Sequence, residues 1–348
     1  MKYFYRNHFN RFTFGILIKK IWIRILGILL NLFFRLKLTR IPVLPITIDV
    51  EPTNKCNYKC PHCQVTHWNK TKLDLDLNSF KKIIGQFPKI NFIKLQGMGE
   101  PLLCGEFFEM IEYAQSQAIN IEFFTNGSIC NSKFISAIEK MNRTRIKFSL
   151  DGATENTFSK MRPNSNFDKV TNNIRKIIDK RGNNKWPEIS FWTVLTSENF
   201  DEVEKILYLV KELKADYIVF QMFLNNWAKQ DIAEINKVIR VDINNTAVQN
   251  ELDKAKGIAK SISVDLRITN DNHLTKKQKC KWPFTSTFIA ANGDIVPCCV
   301  ISDSSVIKMG NIFNENFYDI WNSKSYRDLR RSIKEHKLYD FCKPCYNE

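Results

Sequence analysis

The sequence predicts an α/β protein built as an open, partial (βα)6 barrel, with an amphipathic helix before it and a small α+β domain after it. Three observations carry that expectation. Between residue 46 and about residue 225, short apolar runs alternate with segments whose apolar positions repeat at helical spacing. The first 40 residues interleave apolar stretches with basic groups and contain no acid. Most of the ten cysteines gather near residues 56–63 and 280–345. With 44% hydrophobic residues, a chain of 348 can bury one large core and a satellite. The expected units are 1–45, 46–270 and 271–348.

The N-terminal unit accounts for much of the charge. The net charge is +16, yet nine basic groups (Lys2, Arg6, Arg11, Lys19, Lys20, Arg24, Arg35, Lys37, Arg40) fall in the first 40 residues. An excess so localised argues against nucleic acid as a partner. The longest run without charge, Ile25 to Phe34, has ten residues, whereas spanning a bilayer takes about 18–20. At 100° per residue Lys20, Arg24, Asn31 and Arg35 share a stripe, with Ile, Leu, Trp22 and Phe over much of the rest. That pattern fits a helix lying on an anionic membrane surface. Docking on the protein itself or on a partner is the competing reading. A secretory signal does not fit, because Lys19, Lys20 and Arg24 interrupt the apolar region and no small-residue cleavage site follows. Cysteines too few for a disulfide scaffold point to a reducing compartment. The expected location is cytoplasmic, peripheral at the inner face of the membrane. Pro42 and Pro45 then end the segment.

Six strand candidates follow: Ile46–Val50, Phe92–Gln96, Ile121–Thr125, Ile146–Leu150, Ile189–Leu195 and Tyr217–Met222. Leu77–Phe87, Glu106–Gln117, Lys133–Met141, Phe167–Lys180 and Glu202–Leu213 read as the helices between them. Such alternation implies a parallel sheet with right-handed crossovers. Six units are too few to close an eight-stranded barrel, and functional groups belong at the C-terminal ends of the strands.

A loop at the end of the first strand reads Glu51-Pro-Thr-Asn-Lys-Cys56-Asn-Tyr-Lys-Cys60-Pro-His-Cys63. Thiolates hold the irons of a 4Fe-4S cluster, and three of them leave one iron open for chemistry. A zinc knuckle or three unrelated buried thiols is the plainer alternative. The spacing CxxxCxxC after a strand resembles the signature of the radical S-adenosylmethionine (radical SAM) enzymes. That resemblance implies a TIM-like partial barrel with Cys56, Cys60 and Cys63 as the catalytic ligands. In that family the open iron chelates the amino and carboxylate groups of S-adenosylmethionine (SAM), and one electron cleaves the sulfonium to a 5′-deoxyadenosyl radical. It also implies a reducing electron donor such as flavodoxin or ferredoxin.

The next motifs stand after successive strands. Gly97-Met98-Gly99-Glu100-Pro101 resembles the family's GGEP element, with Met98 where a glycine usually stands. Gly99 would let backbone approach the ligand, and Glu100 would accept from the methionyl ammonium. Thr125-Asn126-Gly127 and Ser149-Leu150-Asp151-Gly152 are similar to segments lining the nucleoside. Ser149 would donate to the ribose or carboxylate, while Asp151 would line the ligand or shape its own turn. Arg162 occupies the place where related sequences put an arginine on the methionyl carboxylate, a bidentate task suited to guanidinium; a solvated loop arginine is the alternative.

From about 226 to 275 the chain reads as polar and partly helical, without legible chemistry. Beyond it come Cys280, Gly293-Asp294-Ile295-Val296-Pro297-Cys298-Cys299 and Cys342-Lys-Pro-Cys345. Phe284–Ala290 and Asp294–Val296 flank Asn292-Gly293, a hairpin signal. Four thiolates at such places can close a complete 4Fe-4S site, or a zinc site. The segment resembles the SPASM/Twitch auxiliary-cluster domains in their single-cluster form, including the Gly310-Asn311-Ile312 turn and the Ile320-Trp321-Asn322 helix. The implied ligands are Cys280, Cys298, Cys342 and Cys345. Either Cys298 or Cys299 could serve, and the family's Gly-x-x-x-Pro-Cys favours Cys298. Cys104 and Cys130 read as buried small hydrophobes.

The resulting expectation is an enzyme with two 4Fe-4S clusters and SAM that abstracts hydrogen from a substrate C–H bond. An auxiliary cluster with four protein ligands has no open iron and suits electron acceptance. That favours oxidation of a polar small molecule such as a sugar or cyclitol. Peptide maturation is the alternative, and a non-catalytic membrane-surface electron carrier is the rival of another class.

Overall fold

The computed structural model describes residues 21–269 and 279–346. Strands β1 (Thr47–Val50), β2 (Phe92–Leu95), β3 (Asn120–Thr125), β4 (Thr144–Ser149), β5 (Glu188–Val194) and β6 (Tyr217–Gln221) pair in parallel, each with the next. Side-chain N-caps from Asp76, Asn131, Thr154 and Asn166 start four of the intervening helices.

Two features extend this framework. A seventh parallel strand, β7 (Leu266–Thr269), pairs with β6. It comes from the stretch read as polar and helical, whose helices Gln230–Ile239 and Thr246–Ser261 form one more crossover. Four residues interrupted by Arg267 give little apolar signal. At the opposite edge β8 (Phe288–Ile289) pairs in parallel with β1 and turns back into antiparallel β9 (Ile295–Val296). The C-terminal hairpin therefore continues the barrel's own sheet, in the order β7-β6-β5-β4-β3-β2-β1-β8-β9. Its first strand is shorter than Phe284–Ala290, because Trp282–Thr285 wind into a helical turn with Pro283 near its start. Gly293, at φ +83°, makes the hairpin turn. The boundary expected at 270 lies outside the described residues.

Strand alternation gives the sheet two chemically different faces. Ile48, Val50, Ile93, Leu95, Phe123, Phe148, Phe191 and Phe220 are buried in the core. The opposite face carries a rung of alternating charge in register across five strands: Asp49, Lys94, Glu122, Arg145, Glu188. Opposite charges directly across neighbouring strands stabilise the pairing.

Residues 21–35 are helical. Leu30 is 2% exposed, and Phe33 and Phe34 pack against the core, with Phe34 edge-on to Phe284 at 5.3 Å. A strap follows. Asn322 brackets Ile41 with two hydrogen bonds, the Trp321 indole donates to Val43, and Arg330 donates to the Thr39 carbonyl. The helix thus docks on the protein's own C-terminal unit. Ile21, Trp22, Ile25, Ile28, Leu32 and Leu36 nevertheless stay exposed, Ile28 by 67%. Arg24, Asn31 and Arg35 border this second apolar face. Lys20 of the basic stripe lies outside the described residues. Among the described residues no helix is long and apolar enough to cross a membrane.

Candidate functional site

The C-terminal ends of the strands surround a cavity of ≈ 270 Å³ lined by Cys56, Cys60, Cys63, Glu100, Ser149 and Arg162 among others. Phe124, Trp192 and Trp227 supply its apolar wall. The loop bearing the three thiols is pinned on several sides. The Asn57 amide donates to Ser128 and its carbonyl oxygen accepts from Asn126. Lys59 N–H donates to the Pro163 carbonyl, and the Trp227 indole donates to the His62 carbonyl. Gln64, fully buried, donates to the carbonyl of Ile301 in the C-terminal unit. Burial pushes the Cys60 thiol up to about 11 and Cys63 to about 12, with Arg162 pulling the other way. Bound iron is what would draw them into thiolates.

Glu100 is buried, and burial lifts its carboxyl to about 7 against three hydrogen bonds. It accepts from the Asn126 and Leu102 N–H groups and the Thr125 hydroxyl. A carboxylate has about four lone-pair sites, which leaves one for a ligand.

Gly99 is needed for a different neighbour than the sequence suggested. A Cβ there would stand 2.4 Å from the Lys55 carbonyl oxygen and 2.5 Å from that of Thr53. The close approach is to the cysteine loop itself. Gly97 is similarly confined by the Glu51 side chain, which accepts from Met98 N–H in the GGEP-like loop and Ala291 N–H at the hairpin turn.

Arg162 is not a solvated loop residue. Its guanidinium lies 2.5 Å from Asp151 Oδ2 and 4.0 Å from Cys60 Sγ, and its Nε has no hydrogen-bond partner among the described residues. Asp151 does two things: Oδ1 accepts from Val194 N–H, and Oδ2 holds the arginine. Ser149 reaches the cavity from the end of β4.

In the C-terminal unit burial raises the thiols of Cys280, Cys298, Cys342 and Cys345, and Cys280, Cys298 and Cys342 each also feel neighbouring thiols of the set. Among the described residues no three His, Cys, Asp or Glu side chains close on one point as a single ion would require. A four-iron cluster instead takes one thiolate at each corner. Cys104 is buried as expected, and Cys130 is only partly so.

Sequence reading missed the residues joining the two cysteine regions. Fully buried Asp303 pairs with Lys70, just past the cysteine loop, and lies 3.7 Å from Lys229 Nζ. It also missed the charged rung, although Asp49, Lys94 and Glu122 each stand as a charge inside an apolar strand run; Arg145 and Glu188 fall just before the runs read for β4 and β5.

The chain matches the radical SAM superfamily over residues 50–210 and the SPASM iron-sulfur cluster-binding domain over residues 280–346. It belongs to the radical SAM enzymes and carries a C-terminal auxiliary-cluster domain, so a catalytic 4Fe-4S cluster, auxiliary iron-sulfur and SAM are its cofactors. The cofactor-modifying protein of the tungsten-containing aldehyde ferredoxin oxidoreductase from Pyrococcus furiosus is 22% identical over 85% of this chain and 86% of its own length. The mycofactocin maturase MftC of Mycolicibacterium smegmatis is 24% identical over 47% of this chain and 41% of its own. Streptococcus suis SuiB, solved bound to its precursor peptide SuiA, shares the fold with a TM-score of 0.68 at 14% identity, over 83% of this chain and 67% of that one.

Proposed function

We propose that the protein is a radical SAM enzyme that acts on a C–H bond of a peptide at an anionic membrane surface. The observation carrying the chemistry is the single cavity in which three thiols, Glu100, Ser149 and Arg162 meet. Cys56, Cys60 and Cys63 would hold the catalytic cluster, which when bound supplies the electron that cleaves SAM. Glu100 offers its last lone-pair site to the methionyl ammonium, Arg162 its free Nε to the carboxylate, and Ser149 its hydroxyl to the ribose or carboxylate. Asp151 fixes the guanidinium plane, and Gly99 lets the cysteine loop close against the Glu100 loop. Cys280, Cys298, Cys342 and Cys345 would hold one auxiliary cluster as a one-electron relay. A flavodoxin or ferredoxin would supply the reducing electron.

The peptide reading draws on the mycofactocin maturases and on SuiB with its precursor peptide. These relatives favour it over oxidation of a sugar or cyclitol. Reconstituted enzyme with SAM and dithionite should make 5′-deoxyadenosine faster when short peptides encoded beside its gene are added. Stimulation by sugars or cyclitols and by no peptide would overturn the assignment.

For the surface reading, the exposed apolar face and its basic border are the support. Each basic group near an anionic surface contributes about 1 kcal/mol, enough for reversible attachment. Ile28→Glu with Leu32→Glu should abolish sedimentation with phosphatidylglycerol vesicles and leave the fold intact, since both side chains point away from the core. Unchanged sedimentation of this variant would refute the surface reading.

A further inference from the structure

A second cavity, of ≈ 230 Å³, lies beside the catalytic one, bordered by the helix Gln230–Ile239, the loop leaving β6 and the C-terminal unit. Leu224 and Asn225 line both cavities, so that loop is their common wall. Val300 and Cys345 line the second from the C-terminal unit. Its lining carries two cations, Lys237 and Arg240, and no carboxylate among the described residues. Both cations are exposed, and neither has an ion-pair partner among the described residues. Asn236, next to Lys237, is 4% exposed and lines the same space. Its amide nitrogen donates to the Asn225 carbonyl and to Asn226 Oδ1, both at 2.9 Å. The backbone acceptor fixes which way the amide faces, because turning it over would set one carbonyl oxygen against another. Asn236 Oδ1 is thereby held buried without a hydrogen-bond partner among the described residues. What completes it is a donor, an N–H or O–H.

Two exposed cations beside one buried acceptor suit a ligand that carries a carboxylate and an amide N–H close together. A cation in the last helical turn also complements the helix dipole. That role leaves the orphaned Asn236 oxygen unexplained, and Arg240 already stands past the helix end. We infer that Lys237, Arg240 and Asn236 form a substrate-anchoring subsite. The two cations hold a carboxylate of the peptide, and Asn236 Oδ1 accepts from a peptide N–H beside it. This rests on the peptide reading above and names a group that the peptide must carry. The carboxylate is an acidic side chain or the peptide's own C-terminus, since each has a backbone N–H next to it. A peptide lying over the wall of Leu224 and Asn225 then keeps its anchored residue in the second cavity and its reacting residue in the first. Neither cation lines the cavity that holds the three thiols, so the anchor selects the peptide and its register.

The probe is the peptide encoded beside the gene that most stimulates 5′-deoxyadenosine formation, synthesised in three forms: unmodified, amidated at its C-terminus, and with Asp and Glu replaced by Asn and Gln. With wild-type enzyme one of the two amide forms should raise KM at least about tenfold, the loss of roughly one charge-assisted contact. The form affected tells whether the carboxylate is the peptide's end or a side chain. In Lys237→Met with Arg240→Met, KM for the unmodified peptide should rise as much. The same amide replacement should then cost less than about twofold, because the charge it removes has no partner left. Arg240→Lys, which keeps the charge, should stay near wild type. About eight irons per chain in the double variant check its folding; if iron falls, the wild-type comparison of the three peptides decides alone. Equal KM for all three peptides on wild-type enzyme would overturn the inference, and so would the same amide penalty in a folded double variant. Wild-type enzyme that makes 5′-deoxyadenosine yet is stimulated by no peptide would instead sink the peptide reading, and the anchor with it.

Discussion

Cys60→Ala should abolish 5′-deoxyadenosine formation. The thiol lies 4.0 Å from the Arg162 guanidinium, and the Cys60 carbonyl accepts from both Cys63 N–H and the Thr66 hydroxyl. The residue thus sits at the centre of the loop, and two remaining thiolates do not hold a four-iron cluster. Iron per chain should fall from about eight to about four, and removal of Cys56, Cys60 and Cys63 together should leave the same four. Zinc in place of that remaining iron would show the C-terminal quartet to be a structural zinc site. Wild-type yields of 5′-deoxyadenosine from the Cys60 variant would end the enzyme assignment.

Gly99→Ala should be nearly as damaging although it removes nothing. The added methyl would stand 2.4 Å and 2.5 Å from two carbonyl oxygens of the cysteine loop. Those are backbone atoms and cannot swing aside. The loop must retreat, which also strains the hydrogen bond from Glu100 N–H to the Lys55 carbonyl at 2.7 Å. Overpacking of this kind costs about 1–3 kcal/mol. Here the cost falls on cluster assembly, so iron should drop toward about four while the C-terminal quartet keeps its share. SAM affinity should fall at least tenfold, the equivalent of about 1.4 kcal/mol. An Ala variant with full iron and unchanged SAM affinity would show that the two loops do not act as one unit.

What the sequence disclosed was whatever is local. Strand and helix periods, the Asn292-Gly293 turn and the motifs after each strand depend on neighbouring residues, and the strands start and end within a few residues of expectation. The cysteines were legible because metal ligands come at fixed spacings. Asp151 was ambiguous because its partner, Arg162, is fixed by tertiary packing across a helix. Gly99 was assigned to the ligand because nothing in the sequence reveals that Thr53 and Lys55 turn their carbonyls toward it. β7 was hidden because four residues of strand carry too little pattern, and the hairpin strand β8 was legible while its parallel pairing with β1, set by tertiary packing, was not. The N-terminal helix gave two competing readings because it has two apolar faces, and only the fold tells which is covered.

The strap at residues 39–43 has a consequence for how the chain is made. Its hydrogen bonds join residues 278 to 291 positions apart. At about 5–20 residues per second, the first helix leaves the ribosome roughly 15–60 s before the surface that covers Leu30 and Phe34 exists. Both apolar faces are then bare at once. Closing so long a loop comes late in folding, after the local βα units have formed. For most of its synthesis the protein therefore carries a basic segment with two apolar faces and nothing of its own to rest on, and under the surface reading proposed above a lipid surface would reach it before its own C-terminus does.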